Sequence, residues 1–214
     1  MQDLTHPIES GMPTYPGDPE VAVCAADTFA EDGCRVTELA VGSHSGTHVD
    51  APSHTEEDGA RLGDYPLSAF VRDAVVVDCT DLGAREPIPA ERVPESDADC
   101  ALFRTGWDRH WGSERYRDHP YLSVAAAERC VEAEYAVGID GFSPDPTPPV
   151  EGDVDVPAGR DKFAAHHAVL GAGLLVFENL TNLDAVPTRF ELRALPISLD
   201  GDGAPVRAVG VDAD

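Results

Sequence analysis

Apolar and polar residues alternate over short stretches of this chain, which predicts short strands rather than long helices. Residues 35–41 alternate between polar and apolar side chains and residues 21–25 are mostly apolar, so both stretches are predicted strands. Further apolar stretches of strand length lie at 73–77, 101–105, 135–139, 174–177 and 189–197. The 18 prolines and 19 glycines indicate many turns between these elements.

Helical composition is confined to a few segments. Residues 123–133 have helical composition, and Ser123 is a good N-cap for 124–131. Residues 161–170 are also predicted to be helical, and Gly171 comes directly after them, as is typical of a helix end. A short helix is predicted at 66–70.

The sequence contains no internal repeat and no low-complexity linker. The stretch 144–157 is rich in proline and acidic residues, so it is predicted to be a loop. These patterns predict a single domain over residues 1–214. Its expected fold is mixed α/β and rich in β-structure, with a large, partly barrel-like sheet and a few helices.

The charge balance is strongly acidic: 40 acidic residues stand against 15 basic ones, for a formal net charge of −25. We expect no nucleic-acid partner, because phosphates require a basic surface. The acidic residues are spread along the chain, and Lys162 is the single lysine. This pattern indicates adaptation to high salt, where screening weakens the repulsion between like charges.

No apolar run approaches the roughly 20 residues that a membrane-spanning helix needs. The first residues also lack the basic and apolar regions of a signal peptide. We therefore expect no membrane association and a cytoplasmic location. The five cysteines include no Cys-x-x-Cys pair and are expected to be buried thiols or residues without a role, with a nucleophilic Cys/His pair as the alternative. Cys79 ends an apolar run and is predicted to lie in the core.

Three histidines and one aspartate recur at even spacing within one short segment: His44, His48, Asp50 and His54. In an extended segment, residues two apart share a face, so all four side chains would point the same way. Gly46 and Pro52 disfavour a helix here. Imidazoles and a carboxylate on one face would form a metal site with a spare base. The alternative is a surface loop that happens to be rich in histidine.

A second candidate half-site lies in the later helix–strand unit. A histidine on the predicted helix, His166 or His167, can converge with Glu178 at the end of the following strand. A buried carboxylate is costly unless it is paired or bound to a metal. The alternative is a partly exposed helix histidine and a solvated glutamate.

These motifs resemble those of the metal-dependent cyclase family, which includes bacterial-type kynurenine formamidases. The family pattern His-x-Gly-Thr-His-x-Asp-x-Pro-x-His is matched at every fixed position over 44–54. The family's closing pattern, which runs from a histidine to Glu-Asn-Leu, is similar to residues 166–180. Weaker similarities lie at 3–7, 15–18 and 138–145, so the resemblance covers most of the chain.

The resemblance implies that His44, His48 and Asp50 bind one divalent metal ion. It implies a second ion at Asp50, His166 and Glu178, with Asp50 bridging the two. Imidazole and carboxylate ligands without thiolate suit Zn²⁺, and also Mn²⁺ where carboxylates dominate. We therefore expect one or two zinc ions, with manganese as the alternative. The resemblance also implies a swivelling-type β-rich fold and a homodimer or a dimer of dimers.

The resemblance further implies that His54 is a general acid/base. The family spacing to Glu178 selects His166 rather than His167 as the ligand. A one-residue step turns a helix by about 100°, so only one of this pair should reach the metal. Tyr15 and Phe142 are candidate contacts for an aromatic ring of the substrate.

The hypothesis from sequence is an amidohydrolase acting on a small aryl formamide through a metal-activated water. N-formylkynurenine, hydrolysed to kynurenine and formate in tryptophan catabolism, is the leading substrate candidate. One alternative is hydrolysis of a cyclic amide such as isatin. Another is a metal-dependent cyclase or dehydratase on the same scaffold. The non-enzyme alternative is a structural metal-binding protein, although structural zinc sites are usually rich in cysteine.

Overall fold

The computed structural model describes residues 1–148 and 162–212. In this part of the chain the strands are β1 (Gln2–Asp3), β2 (Ala22–Asp27), β3 (Val36–Ala40), β4 (His48–Asp50), β5 (Val71–Asp78), β6 (Pro87–Ile88), β7 (Cys100–Arg104), β8 (Tyr121–Leu122), β9 (Ala136–Ile139), β10 (Val176–Glu178), β11 (Arg189–Arg193), β12 (Gly203–Pro205) and β13 (Val209–Val211). The α-helices are α1 (Phe29–Asp32), α2 (Val124–Glu132) and α3 (Ala164–Gly171).

Nine of the described strands form one mixed sheet, in the order β1-β13-β11-β5-β7-β9-β10-β4-β12. Strands β5, β7, β9 and β10 run parallel to their neighbours in this group, and the remaining pairs are antiparallel. The sheet curls into a half-barrel. The prediction of a mixed α/β fold with a partly barrel-like sheet and a few helices is confirmed.

Apolar side chains cover both faces of the central strands, which is why these strands appear as apolar runs in the sequence. Helices α2 and α3 pack together on one face, where Ala127 and Val169 are buried in the same cluster as Phe103. The opposite face packs around Leu102 and Phe177. Neighbouring residues of β7 therefore enter different cores, as the two-residue period of a strand requires.

The two longer helices differ in how they are capped. The Ser123 hydroxyl accepts a hydrogen bond from the Ala126 amide at 3.1 Å, so α2 begins where the sequence predicts. Helix α3 begins at Ala164, later than predicted. Its first amides are capped from a distant loop, because the Asp145 carboxylate accepts hydrogen bonds from the amides of Ala165 and His166.

Several other boundaries differ from the predictions. The predicted strand 189–197 ends at Arg193, and Pro196, which has no amide proton, pairs with Val206 only in an isolated bridge. The short helix at 66–70 is a 3₁₀ turn. Strands β12 and β13 were not predicted. The predicted loop at 144–157 lies mostly outside the described residues. Within the described ranges, no helix is long and apolar enough to cross a membrane.

The histidine segment is not one continuous extended strand, so that expectation is wrong. Only His48–Asp50 forms a strand. Gly46 adopts a φ of +65° and turns the chain before this strand. Pro52 begins the 3₁₀ turn that follows it and ends at His54. The evenly spaced side chains therefore approach one another from three different local conformations.

Candidate metal centre

Strands β4 and β10 place three polar side chains, those of His48, Asp50 and Glu178, on one face of the sheet. In the antiparallel register of β4 and β10, His48 lies opposite Glu178 and Asp50 lies opposite Val176. The His48 Nε2 is 3.2 Å from Glu178 Oε2 and 3.2 Å from Asp50 Oδ1. Val49, between the two β4 residues, points into the apolar core. The two-residue period therefore separates the polar groups from the core.

Two further histidines reach these carboxylates from outside the strands. The turn at Gly46 brings His44 Nδ1 to 2.7 Å from Asp50 Oδ1. On α3, His166 Nε2 lies 3.2 Å from Glu178 Oε1 and 3.5 Å from Asp50 Oδ2. The adjacent His167 points elsewhere, and its Nδ1 is 2.6 Å from Glu56 Oε1.

The convergent atoms form two groups that share Asp50. In each group the candidate ligand atoms lie within 4.8 Å of one another, and the groups are His44, His48 and Asp50, and Asp50, His166 and Glu178. We name these five residues the metal centre. Among the described residues, three buried atoms of the centre form no hydrogen bond: His48 Nε2, Asp50 Oδ2 and Glu178 Oε1. Buried nitrogen and oxygen atoms that lie close together without hydrogen bonds fit the ligands of a divalent cation.

The outer nitrogen of each histidine in the centre has a partner elsewhere in the protein. His48 Nδ1 donates a hydrogen bond to the Gly46 carbonyl at 2.8 Å. His166 Nδ1 lies 2.7 Å from Asp145 Oδ2, and His44 Nε2 lies 3.0 Å from Asp202 Oδ2. Such outer partners fix the ring orientation and the tautomer of metal-binding histidines.

The carboxylates of the centre attract positive charge strongly. Burial alone would lower the pKa of His44, but the charge of Asp50 and hydrogen bonds to Asp202 and Asp50 raise it to about 9. Burial and the Asp50 charge would raise the pKa of Glu178, but interactions with its two neighbouring histidines hold it at about 2. The pKa of Asp50 is also well below its usual value, despite its burial, because His48 and His44 favour the ionised form. Both acids therefore stay ionised at neutral pH.

His54 lies beside the metal centre, outside both groups that contain Asp50, and its ligand atom lies within 4.8 Å of those of His44 and Asp202 in a third group. Its ring contacts the ring of His44, with the centroids 4.0 Å apart, and its Nδ1 is 3.5 Å from Asp202 Oδ2. Burial lowers the pKa of His54, against the opposing charge of Asp50. The ring is therefore neutral near pH 7 and able to accept a proton.

A cavity of about 310 Å³ opens over the centre and reaches both His54 and Glu178. Its walls include three aromatic rings, from Tyr15, Phe142 and Phe163. The centroid of the Tyr15 ring lies 6.1 Å from the centroid of each of the other two rings. Burial and nearby carboxylates raise the pKa of Tyr15 to about 12, so its hydroxyl stays protonated. The two aromatic candidates from sequence thus line the same cavity as the proposed acid/base.

Sequence reasoning missed several residues of this site. Asp145 stands in the 138–145 stretch that resembles the family pattern, but that stretch gave it no role. Asp202 comes from a short Asp-Gly-Asp-Gly segment that resembles an ordinary turn. Phe163 and Lys162 line the cavity from the residues that precede α3. The one sequence feature that could have indicated a role for Asp202 is its place as a charged residue between two glycines.

The fold and this site define a class of mixed α/β protein in which two groups of histidine and carboxylate ligands share one aspartate. The family model described as putative cyclase matches residues 2–146, more than half of the chain. This chain belongs to the putative cyclase family, as the resemblance predicted.

The chain is also similar, along nearly its whole length, to relatives named kynurenine formamidase. It is 34% identical to the kynurenine formamidase of Salinibacter ruber, over 99% of this chain and 97% of the relative. It is 29% identical to the kynurenine formamidase of Bacillus cereus, over 97% of this chain and 95% of that protein.

Solved structures agree in fold. An isatin hydrolase bound to the product analogue thioisatinate matches with a TM-score of 0.83 and 21% identity, over 99% of this chain and 92% of that chain. Isatin hydrolase A from Labrenzia aggregata, bound to benzyl benzoate, matches with a TM-score of 0.81 and 23% identity, over 99% and 93%. At these identities the similarity establishes the fold alone.

Proposed function

We propose that this protein is a metal-dependent amidohydrolase that cleaves the C–N bond of N-formylkynurenine, giving kynurenine and formate. The observation that carries this proposal is the His54 imidazole beside five convergent candidate ligands in one cavity with aromatic walls. The relatives named kynurenine formamidase support an amidohydrolase that acts on a C–N bond outside peptides.

The residues of the centre have separate tasks in this proposal. His44, His48 and Asp50 would hold one ion, and Asp50, His166 and Glu178 a second. A bound divalent cation such as Zn²⁺ or Mn²⁺ supplies an acidified water and a Lewis acid for the carbonyl oxygen. The five side chains are already gathered and oriented by the sheet, α3 and their outer hydrogen bonds, so binding requires little rearrangement.

His54 would move the proton in both halves of the reaction. Its Nδ1 faces Asp202, which leaves Nε2 to accept a proton from the attacking water. The water oxygen then bonds to the formyl carbon, and the C–N bond breaks. His54 returns the proton to the departing aromatic amine, and formate is released. A neutral imidazole is the form that this cycle requires at its start.

The aromatic walls would position the substrate. Tyr15, Phe142 and Phe163 form apolar surfaces beside His54, and an aryl ring between them would direct its formamide toward the centre. Exclusion of water by these rings would also strengthen electrostatic interactions within the site.

The direct test is turnover of N-formylkynurenine, isatin and a simple aryl ester, with measured metal content, before and after a chelator. We expect the formamide to be the best substrate, chelation to abolish turnover, and added Zn²⁺ or Mn²⁺ to restore it. Activity that survives complete metal removal would contradict the proposal. Faster turnover of isatin would favour the cyclic-amide alternative. Bound metal with no turnover of any substrate would favour a structural metal-binding protein.

We further propose a homodimer, or a dimer of dimers, built on the hairpin formed by β2 and β3. The hairpin and the short helix α1 carry three apolar side chains that are about half exposed or more: Phe29, Val36 and Leu39. Exposed large apolar side chains on one element are found at protein–protein interfaces. Light scattering should show a dimer, and the double variant Val36→Glu, Leu39→Glu should be monomeric. A monomeric wild-type protein would contradict this assembly. We also propose a cytoplasmic location.

A further inference from the structure

The only lysine of the sequence lines the cavity above the metal centre. The ammonium nitrogen of Lys162 lies 4.8 Å from the centroid of the Tyr15 ring and 4.7 Å from that of the Phe163 ring. Attraction between a cation and the faces of aromatic rings holds the ammonium group at this place. The positive charge is therefore fixed on the aromatic wall rather than free in solvent.

This charge has no carboxylate partner within ion-pair distance among the described residues. Asp18 lines the same cavity and forms no ion pair with it. Arg189 behaves differently, because it pairs with Asp73 and Asp97 on the surface. Because no carboxylate of residues 1–148 or 162–212 pairs with it, the ammonium group is available to a carboxylate of a ligand.

The Phe163 ring connects this cation to the reacting groups. Its centroid is 6.5 Å from the His54 ring and 5.8 Å from the His166 ring. An aryl ring that lies along Phe163 with its formamide at His54 would carry a side-chain substituent toward Lys162. The cavity thus has a reactive end, an aromatic wall and a cationic end.

We propose that Lys162 determines substrate specificity by binding a carboxylate on the substrate, so that the enzyme prefers aryl formamides that carry a carboxylate to those that lack one. This inference rests on the proposed formamidase function and adds to it the substrate group recognised and the residue that recognises it. A carboxylate at the ammonium forms a charge-assisted hydrogen bond, whereas a substrate without a carboxylate makes no such bond with Lys162.

The experiment compares two formamides with the same ring and ketone. N-formylkynurenine carries the amino-acid group, and 2′-formamidoacetophenone lacks it. For Lys162→Met we expect KM for N-formylkynurenine to rise about tenfold with little change in kcat. Turnover of the neutral formamide should be unchanged. Lys162→Arg, which keeps the charge, should retain most of the preference.

Product binding supplies a readout that does not depend on turnover. Calorimetry should show that Lys162→Met weakens binding of kynurenine but not of 2′-aminoacetophenone. Arg129→Gln is the matched control, because it removes one positive charge from α2, which contributes no residue to the cavity wall. It should behave as wild type with all four compounds.

The outcomes separate the two proposals. A wild-type enzyme that hydrolyses neither formamide would contradict the proposed function and this inference with it. An active enzyme in which Lys162→Met affects both formamides equally, or neither, would overturn the inference alone. Equal effects of Lys162→Met and Arg129→Gln would also overturn it, because they would assign the effect to overall charge.

Discussion

Asp202 contacts two histidines with different proposed tasks. Its Oδ2 lies 3.0 Å from Nε2 of His44, a candidate ligand, and 3.5 Å from Nδ1 of His54, the candidate acid/base. One oxygen of Asp202 thus faces one ring nitrogen of each histidine. Each ring is left with its other nitrogen for the metal centre or the cavity.

For Asp202→Asn we expect a loss of about 10–100-fold in metal affinity or in turnover, because an uncharged amide orients both rings less firmly. Metal titration and steady-state kinetics measure the two effects. Asp200→Asn is the matched control, since that carboxylate is exposed and 3.9 Å from the Arg61 guanidinium. Identical behaviour of the two variants would show that Asp202 orients neither ring.

His54→Ala is expected to separate binding from catalysis. Turnover of N-formylkynurenine should fall by about 10²–10⁴-fold, as for other acid/base residues. The two groups that contain Asp50 should keep wild-type metal content, because His54 belongs only to a separate group with His44 and Asp202. Elemental analysis of the purified variant provides the measurement. Metal loss in proportion to activity would instead make His54 a ligand.

At the scale of single residues, the sequence predicts those site residues whose spacing along the chain matches the period of a strand. His48 and Asp50 are two apart on a strand, so their shared face follows from strand periodicity alone. Asp145 and Asp202 could not be found in this way, because each reaches its histidine from a remote loop. Long-range contacts of this kind leave no periodic signal in one sequence.

At the scale of elements, the centre depends on close packing between β4 and β12. Gly203 pairs with Asp50 in the antiparallel register of these strands. A Cβ atom at Gly203 would come within 2.7 Å of His44 Cε1 and 3.1 Å of the Val49 carbonyl oxygen. The absence of a side chain in β12 therefore makes room for the His44 ring.

Gly203→Ala is expected to displace His44 and lower metal affinity at least tenfold while the fold persists, since loss of a correctly placed ligand group weakens the site. Metal titration together with circular dichroism tests this expectation. Gly171→Ala is a suitable control, because its nearest neighbour, Glu56, would be 3.8 Å from the new methyl group. Wild-type affinity in Gly203→Ala would show that His44 does not depend on this packing.

Element types were more predictable than element boundaries. The central strands are apolar and flanked by turns, so β5, β7 and β9 follow directly from the sequence. Helix α3 was misplaced at its start because its cap, Asp145, comes from another part of the chain. Strand β12 was missed because glycine and proline occupy two of its three positions.

At the scale of the whole molecule, the net charge of −25 predicts dependence on salt. Repulsion between dispersed acidic groups destabilises the compact state, and added salt screens it. We expect the melting temperature to rise markedly from dilute buffer to molar KCl, with partial unfolding at the lowest salt. Thermal unfolding followed by circular dichroism provides the measurement. A melting temperature that is independent of KCl would contradict adaptation to high salt.

Asp50 is shared by both groups of candidate ligands, so metal content and N-formylkynurenine turnover of Asp50→Ala test the proposed centre most directly. Elemental analysis should show that the folded variant loses metal from both groups, and turnover should fall with it. Asp50→Asn, which keeps the side-chain shape, should show the same loss. A folded Asp50→Ala protein with wild-type metal content and wild-type turnover would contradict the centre.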